Sequence, residues 1–568
     1  MYKFKIDSIS VNTISGDKAI QPKSVNVIIG PNNSGKSRFL KEIRNYLSGK
    51  TDTLRIIKEL SHEFPDNIND LDSSYALSQK LSRDMYGNWF LRVYSNKTTQ
   101  ELDMNESLEN YHSRGFSSFS GDWHSFYEGI IERKHPAEFF DYFGSLFFQY
   151  VGTEERLLIC KAQRNYGLDS SSLNFLSSYK FEQELLGKLA ENVKRLFGKD
   201  IFLDTQTLGD RLVFRVGENF DYARSNGSIN ADIASKLNGE NRLDDQGDGL
   251  KSYVSTFLSL NNKNADVLLI DEPEAFLHPP LARQLGELIG ESENQGMQIF
   301  VATHSVEVLK GILSKSQAVN IIRITQPKPG LNEIHIINND LLRTILHTPL
   351  LRVSRVMEGL FCEKVVITES EADELVYQEL IEKLFPQSGL YFAHGQNKQT
   401  LAEIAKLYKE LGITYEMITD FDVLRISSEL STFLDLMPLD DKYKQRLLNS
   451  ANKMRQKVND SVNVDGLEAK EADNKRKAMR DEVYHKQGVI FFTDMQDLIL
   501  KTLDMFSGYH LHILQSGELE TLLVPYGVPY KNKKEWISDA INRIETLNQT
   551  DIPTDSVLYK LLSRVVLN

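Results

Sequence analysis

The sequence predicts an α/β protein built in two successive blocks. Short apolar runs alternate with amphipathic stretches along the chain, the pattern of strands covered by helices. One run, Val267–Ile270, is apolar throughout, as in a strand buried on both faces of a parallel sheet, and ends in carboxylates. The chain has 568 residues, 41% of them hydrophobic and 26% charged. At about 150 residues per domain, that length predicts two to four domains.

Composition narrows the class. Two cysteines, Cys160 and Cys362, exclude a disulfide framework and a four-cysteine zinc site, and point to a reducing, cytoplasmic compartment. No run of about 18 apolar residues occurs, so no membrane helix is expected. Residues 1–7 alternate like a strand rather than a signal peptide. The net charge of −13 argues against a protein that coats nucleic acid through overall charge.

Residues 1–345 hold two halves of one site, separated by an inserted, largely polar lobe at about 50–240. In that lobe Phe181–Phe197 reads as a helix, and Ile201–Leu203 and Arg211–Val216 as strands. Residues 346–362 read as a helical connector, and 363–568 as a second β-α-β series with a helical insert at about 425–490. Its segment 441–490 carries 12 Lys or Arg against 8 Asp or Glu, a solvated helical face or a docking surface.

The first block opens with Val25–Ile29 as a strand, then Gly30-Pro31-Asn32-Asn33-Ser34-Gly35-Lys36-Ser37, then Phe39, Leu40, Ile43, Tyr46 and Leu47 at helical spacing. This is G-x-x-x-x-G-K-S between the strand and helix it requires. Glycines let backbone N–H groups turn toward phosphate oxygens, and the helix start adds partial positive charge. Lys36 is expected on the β/γ-phosphates and the Ser37 hydroxyl on Mg²⁺. Far downstream, Val267–Ile270 ends in Asp271-Glu272: Asp271 is placed to hold Mg²⁺ through water, and Glu272 to polarise the attacking water. A second run, Ile299–Ala302, ends in Thr303-His304-Ser305, which puts His304 within reach of a γ-phosphate.

Together with Pro273-Glu274-Ala275-Phe276-Leu277-His278-Pro279, this set resembles the ABC-type ATPase heads of DNA-repair and chromosome-maintenance proteins. The resemblance implies ATP and Mg²⁺ as cofactors, an inserted helical or dimerisation lobe, and a signature segment that completes a partner subunit's site. Asp245–Ser252 is the candidate segment, with Gly247 and Gly249 offering N–H groups in trans. Gln149 is a candidate for the Q-loop glutamine, or an ordinary polar residue at a strand end. Because one chain lacks the trans element, a homo-oligomer, dimer or tetramer, is expected.

In the second block, Val365–Thr368 ends in Glu369, a helix with Asp373 in its first turn follows, and Tyr415–Thr419 ends in Asp420-Phe421-Asp422. Parallel strands bring their C-terminal ends to one sheet edge, so Glu369, Asp420 and Asp422 are expected to converge. Carboxylates that close repel one another unless cations lie between them, which points to Mg²⁺ or Mn²⁺ and phosphodiester cleavage.

This pattern resembles a TOPRIM domain. An ABC-type head followed by a TOPRIM domain resembles the OLD (overcoming lysogenisation defect) family of ATP-dependent nucleases. The family implies a second metal held by a later acidic motif, here Glu518 and Glu520, and a C-terminal lysine that assists the transition state, here Lys533 or Lys534. It implies a two-metal DNA endonuclease in which Glu369, Asp373, Asp420, Asp422, Glu518 and Glu520 hold the ions. Three departures are visible: Ser370 where Gly is usual, Glu518 where Asp is common, and a long insertion after the D-x-D. Resemblance to phage-defence proteins adds a helicase-like protein or a retron reverse transcriptase with its DNA as expected partners. The competing reading is an ATP-dependent sensor or scaffold that does little cutting alone. No stretch remains for a topoisomerase gate or a nucleotidyl-transfer module, and no long heptad pattern separates the ATPase halves.

Overall fold

A computed structural model describes residues 2–66, 81–83, 89–94, 99–103, 129–135, 139–140, 147–164, 175–209, 211–224, 230–263, 265–294, 296–337, 340, 342–343, 355–465, 467–531 and 533–567. The chain divides into two compact units, Met1–Asn339 and Asp340–Asn568. No helix among the described residues is long and apolar enough to cross a membrane.

The first unit is organised by a six-stranded sheet. Its strands lie in the order Leu331–Ile337, Val319–Lys328, Val25–Ile29, Gln298–Ala302, Val267–Asp271 and Phe148–Val151. All neighbours are parallel except the Val319–Lys328/Leu331–Ile337 hairpin. The central strands are buried along their whole length, as expected for largely apolar strands covered on both faces, and they bury Asn26, Asp271 and Gln298 as well. Asp271 pairs with Ala302, and Ala302 with Ile28, so three strands end side by side. The loop after Val25–Ile29, the turn at Glu272 and the turn at His304 therefore share one edge. Helix Lys36–Tyr46 packs Phe39, Leu40 and Ile43 onto the sheet. In the inserted lobe, helix Gln183–Phe197 and strands Asp200–Asp204 and Arg211–Gly217 form where the sequence suggests them. The lobe also contains the antiparallel strands Leu81–Arg83, Trp89–Tyr94 and Thr99–Asp103.

The second unit holds a four-stranded parallel sheet in the order Tyr391–His394, Lys364–Thr368, Thr414–Thr419 and Leu511–Ile513. Helices Glu371–Leu384, Lys533–Thr546 and Val557–Leu567 cover one face around Val376, Leu380, Trp536 and Leu562. Of the expected helical connector, the described part holds a 3₁₀ helix, Val356–Phe361, and residues 344–354 lie outside the described residues. The insert after Asp422 is helical, with Ser427–Leu434, Asp441–Asp460 and Ala469–Glu482. It ends in a π-helical turn, Val483–Gln487.

Two glycines seat that turn on the loop before Glu518. Gly488 and Gly517 both have positive φ, and a Cβ would stand 2.0 Å from the Gln515 carbonyl oxygen at the first and 2.2 Å from the His485 carbonyl oxygen at the second. On the sheet itself, the buried Glu416 accepts hydrogen bonds from His510 (3.0 Å) and His512 (2.7 Å), with Lys364 at 3.3 Å. Burial alone would raise this carboxyl; the two histidines and the lysine hold it down at about 2, and its bond to His510 raises that imidazole.

Two outcomes follow. Gly517→Ala should lower the unfolding free energy by about 1–3 kcal/mol in chemical denaturation, through backbone strain and the clash with His485. For Glu416, the depressed carboxyl stabilises the fold above its ordinary value of 4.5, and that contribution is lost as pH falls toward about 2. The raised His510 stabilises below 6.5, and its contribution is lost as pH rises through the elevated value. The stability difference between the parent and Glu416→Gln, followed by thermal melting, should therefore be largest between 4.5 and 6.5.

Candidate nucleotide and metal centres

The loop Gly30–Gly35 is built for an anion. Gly30, Asn33 and Gly35 all have positive φ, which turns successive N–H groups to one side. A Cβ at Gly30 would lie 2.0 Å from the Ile324 carbonyl oxygen, so only glycine fits there. Pro31, Asn32 and Ser34 complete the loop, and Asn332 Nδ2 donates to the Ser34 carbonyl (2.7 Å), tying it to the neighbouring hairpin. Lys36 is buried and donates to the carbonyl oxygens of Gly30 (2.8 Å) and Pro31 (2.6 Å). Burial pulls its ammonium down to about 8 against the opposing charges of Glu272, Glu274 and Asp271.

Asp271 sits where its strand ends. Its Oδ1 accepts from Ser37 Oγ (2.9 Å) and its Oδ2 from the Tyr150 hydroxyl (3.1 Å). Glu272 takes a left-handed backbone, φ 51°, and its carboxylate lies 3.4 Å from His304 Nε2. Glu274 accepts from Thr303 Oγ1 (2.9 Å) and the His304 N–H (2.6 Å), so it orients the His304 turn. Burial lowers the His304 pKa, and Lys36 lowers it further.

Two residues that carry no motif complete this cluster. Arg156 is fully buried and donates to the carbonyl oxygens of Asp271 (3.0 Å) and Glu272 (2.7 Å), bracing the strained turn. Tyr150 takes the place next to Asp271 that Gln149 would need. Successive residues of a strand face opposite sides, and Gln149 faces away. Its amide donates to Ser259 Oγ (3.1 Å) and accepts from Asn262 (2.9 Å). Gly247 caps helix Asp248–Leu260 without a side-chain bond, and Gly249 packs against the Phe276 carbonyl, where a Cβ would come within 2.9 Å. Both stand apart from the hydrogen-bonded cluster around Lys36.

In the second unit, Glu369 and Asp420 follow the ends of adjacent parallel strands, and Asp422 lies two residues further on, in the 3₁₀ helix Phe421–Leu424. Carboxylate oxygens of Glu369, Asp420 and Asp422 all lie within 4.8 Å of one another, forming the one such group among the described residues. Glu369 accepts from the Asp420 N–H (2.9 Å) and from Thr419 Oγ1. Burial raises its pKa, with Lys398 opposing that rise. Three hard oxygen donors suit Mg²⁺, Mn²⁺ or Ca²⁺, so the donor set fits the expected ion.

The other expected ligands surround this triad unevenly. Asp373 is buried and accepts from Ser370 Oγ (2.8 Å), which in turn caps the same helix. Glu520 is buried, and it acts with Asp420, Asp373 and Glu369 on the buried Tyr377 hydroxyl, whose pKa burial and these charges raise well above normal. Glu518 meets His485 Nδ1 (2.5 Å) and the Tyr530 hydroxyl (3.3 Å). Lys533 and Lys534 begin helix Lys533–Thr546, and their side chains lie outside the described residues. Lys398 and His485 were not singled out by the sequence: Lys398 Nζ lies 3.1 Å from Glu369 and 2.9 Å from Asp422.

Comparison with known proteins adds the lineage. Residues 25–310 match the family model described as "AAA domain, putative AbiEii toxin, Type IV TA system". Residues 360–422 match "Overcoming lysogenization defect protein-like, TOPRIM domain". The chain is 24% identical over 215 residues to Old nuclease of Escherichia phage P2, covering 36% of each protein. It is 22% identical over 230 residues to Endonuclease GajA of Bacillus cereus (strain HuB5-5), covering 36% of this chain and 32% of that protein. The chain thus matches about a third of the length of these curated relatives. A crystal structure of an Smc head bound to the C-winged helix domain of ScpA aligns with 60% of this chain and 99% of its own, at 14% identity and a TM-score of 0.33. The first model takes in half of the sequence, and the chain belongs to that AAA family, in the OLD-type arrangement of an ATPase domain followed by a TOPRIM domain.

Proposed function

We propose that this chain is an ATP-hydrolysing, divalent-metal-dependent DNA endonuclease whose TOPRIM unit cuts phosphodiesters under control of the ATPase unit. The observation that carries the reading is the convergence of Glu369, Asp420 and Asp422 at one sheet edge. Carboxylates that close repel one another unless a cation lies beside them or one of them holds a proton. Mg²⁺ or Mn²⁺ bound there would polarise the scissile phosphate and lower the pKa of a bound water. Glu369, Asp420 and Asp422 would hold one ion; Asp373, Glu518 and Glu520 are the donors we assign to a second. Either Lys533 or Lys534 would neutralise charge that develops on the phosphate.

In the ATPase unit, the Gly30–Gly35 N–H groups and Lys36 would bind the phosphates, while Ser37 and Asp271 would hold Mg²⁺. Glu272 would orient the attacking water, and His304 would contact the γ-phosphate. Gly247 and Gly249, at an uncapped helix start, are assigned to the partner subunit's nucleotide, which makes the active form a homo-oligomer. Two relatives, Old nuclease and Endonuclease GajA, are named for cutting, which supports the same chemistry. Antiphage defence, alone or with a helicase-like protein or a retron reverse transcriptase and its DNA, is the setting we assign to it.

A plasmid-nicking assay with Mg²⁺ or Mn²⁺, with and without ATP, tests this. The parent should cut, and chelation should stop it. Asp420→Ala should lose about a hundredfold or more in rate. Lys36→Ala should remove the difference that ATP makes. A parent chain that does not cut unaided would favour the scaffold reading, and an Asp420→Ala chain that cuts as well as the parent would remove the site assignment.

A further inference from the structure

Lys398 is the first residue of helix Lys398–Glu410, whose start is fixed by the Asn397 side chain accepting from the Thr400 N–H (2.9 Å). A cation is disfavoured at a helix N-terminus, where the dipole is positive. Its carboxylate partners offset that disadvantage. Nζ lies 3.1 Å from Glu369 Oε2, and 2.9 Å and 3.0 Å from the two Asp422 oxygens. The three side chains are only 14–16% exposed, so water screens these charges weakly. Two carboxylates within hydrogen-bond reach favour the lysine's charged form.

We infer that Lys398 is a built-in competitor for the metal centre: its ammonium occupies the Glu369–Asp422 pair and sets how readily the triad takes up a divalent ion. The inference rests on the metal-dependent reading above. An ammonium and a divalent ion that share the same oxygens repel each other, so the site binds metal less tightly than three bare carboxylates would. In exchange, the carboxylates stay together when no metal is bound. Lys398 is thus a positioning residue, acting through Glu369 and Asp422.

The test is a titration of the nucleotide-free full chain with MnCl₂, reading free Mn²⁺ by electron paramagnetic resonance. Lys398→Met and Lys398→Gln, which both remove the charge, should each bind Mn²⁺ about tenfold or more tightly than the parent. Lys398→Arg, which keeps the charge, should stay within about threefold of the parent. The two neutral variants differ in polarity, so one decides the matter if the other fails to fold. Unchanged or weaker binding in the neutral variants overturns the inference. Asp420→Asn serves as the separate control: it removes one carboxylate of the triad while leaving Lys398 with Glu369 and Asp422, and it should weaken Mn²⁺ binding. If Asp420→Asn binds as the parent does, the metal centre lies elsewhere, and the functional reading fails together with the role of Lys398.

Discussion

Mutual repulsion among Glu369, Asp420 and Asp422 is the constraint on which the second unit turns. Their oxygens lie within 4.8 Å of one another, at the edge of a sheet whose strands could not separate them without breaking register. Parallel pairing fixes where each strand stops, and the residues at those stops meet whatever their charge. The fold therefore creates the electrostatic problem, and a positive charge has to relieve it. Lys398 supplies part of that charge from within the chain, and a divalent ion is suited to supply the rest.

The first unit meets a related problem with different chemistry. Asp271, Glu272 and Glu274 crowd the ends of two neighbouring strands. Here the relief is shared. Ser37 and Tyr150 donate to Asp271, Thr303 and a backbone N–H donate to Glu274, and the buried Arg156 braces the carbonyls of the Glu272 turn. The chain's net charge of −13 is therefore not spread evenly as a barrier to nucleic acid. Part of it is concentrated at two sheet edges, where it suits the binding of cations rather than the repulsion of a polyanion.

The parts of the fold that were legible in the sequence share one property: strand and motif confirm each other. Val25–Ile29 before Gly30–Ser37, Val267–Ile270 before Asp271, and Tyr415–Thr419 before Asp420 each pair a buried, largely apolar strand with the residues its end must present. Arg156, Tyr150, Asn332, Lys398 and His485 were not legible, because each is a single residue brought in by tertiary packing with no spacing to announce it. Gln149 shows how narrow the margin is. In a period-two strand, one step in register exchanges the site for the opposite face, and the site fell to Tyr150. His485 arrives through a helical insert whose π turn is locked by Gly488 and Gly517, a contact visible only once the two segments meet.

Anomalous diffraction from crystals of the full chain grown with Mn²⁺ shows whether this carboxylate edge is a divalent-cation centre. The expected result is a manganese peak bonded to oxygens of Glu369, Asp420 and Asp422, with the Lys398 ammonium drawn away from the oxygen it yields. Full manganese sites elsewhere, with Lys398 still on both carboxylates and no peak at the triad, would contradict it.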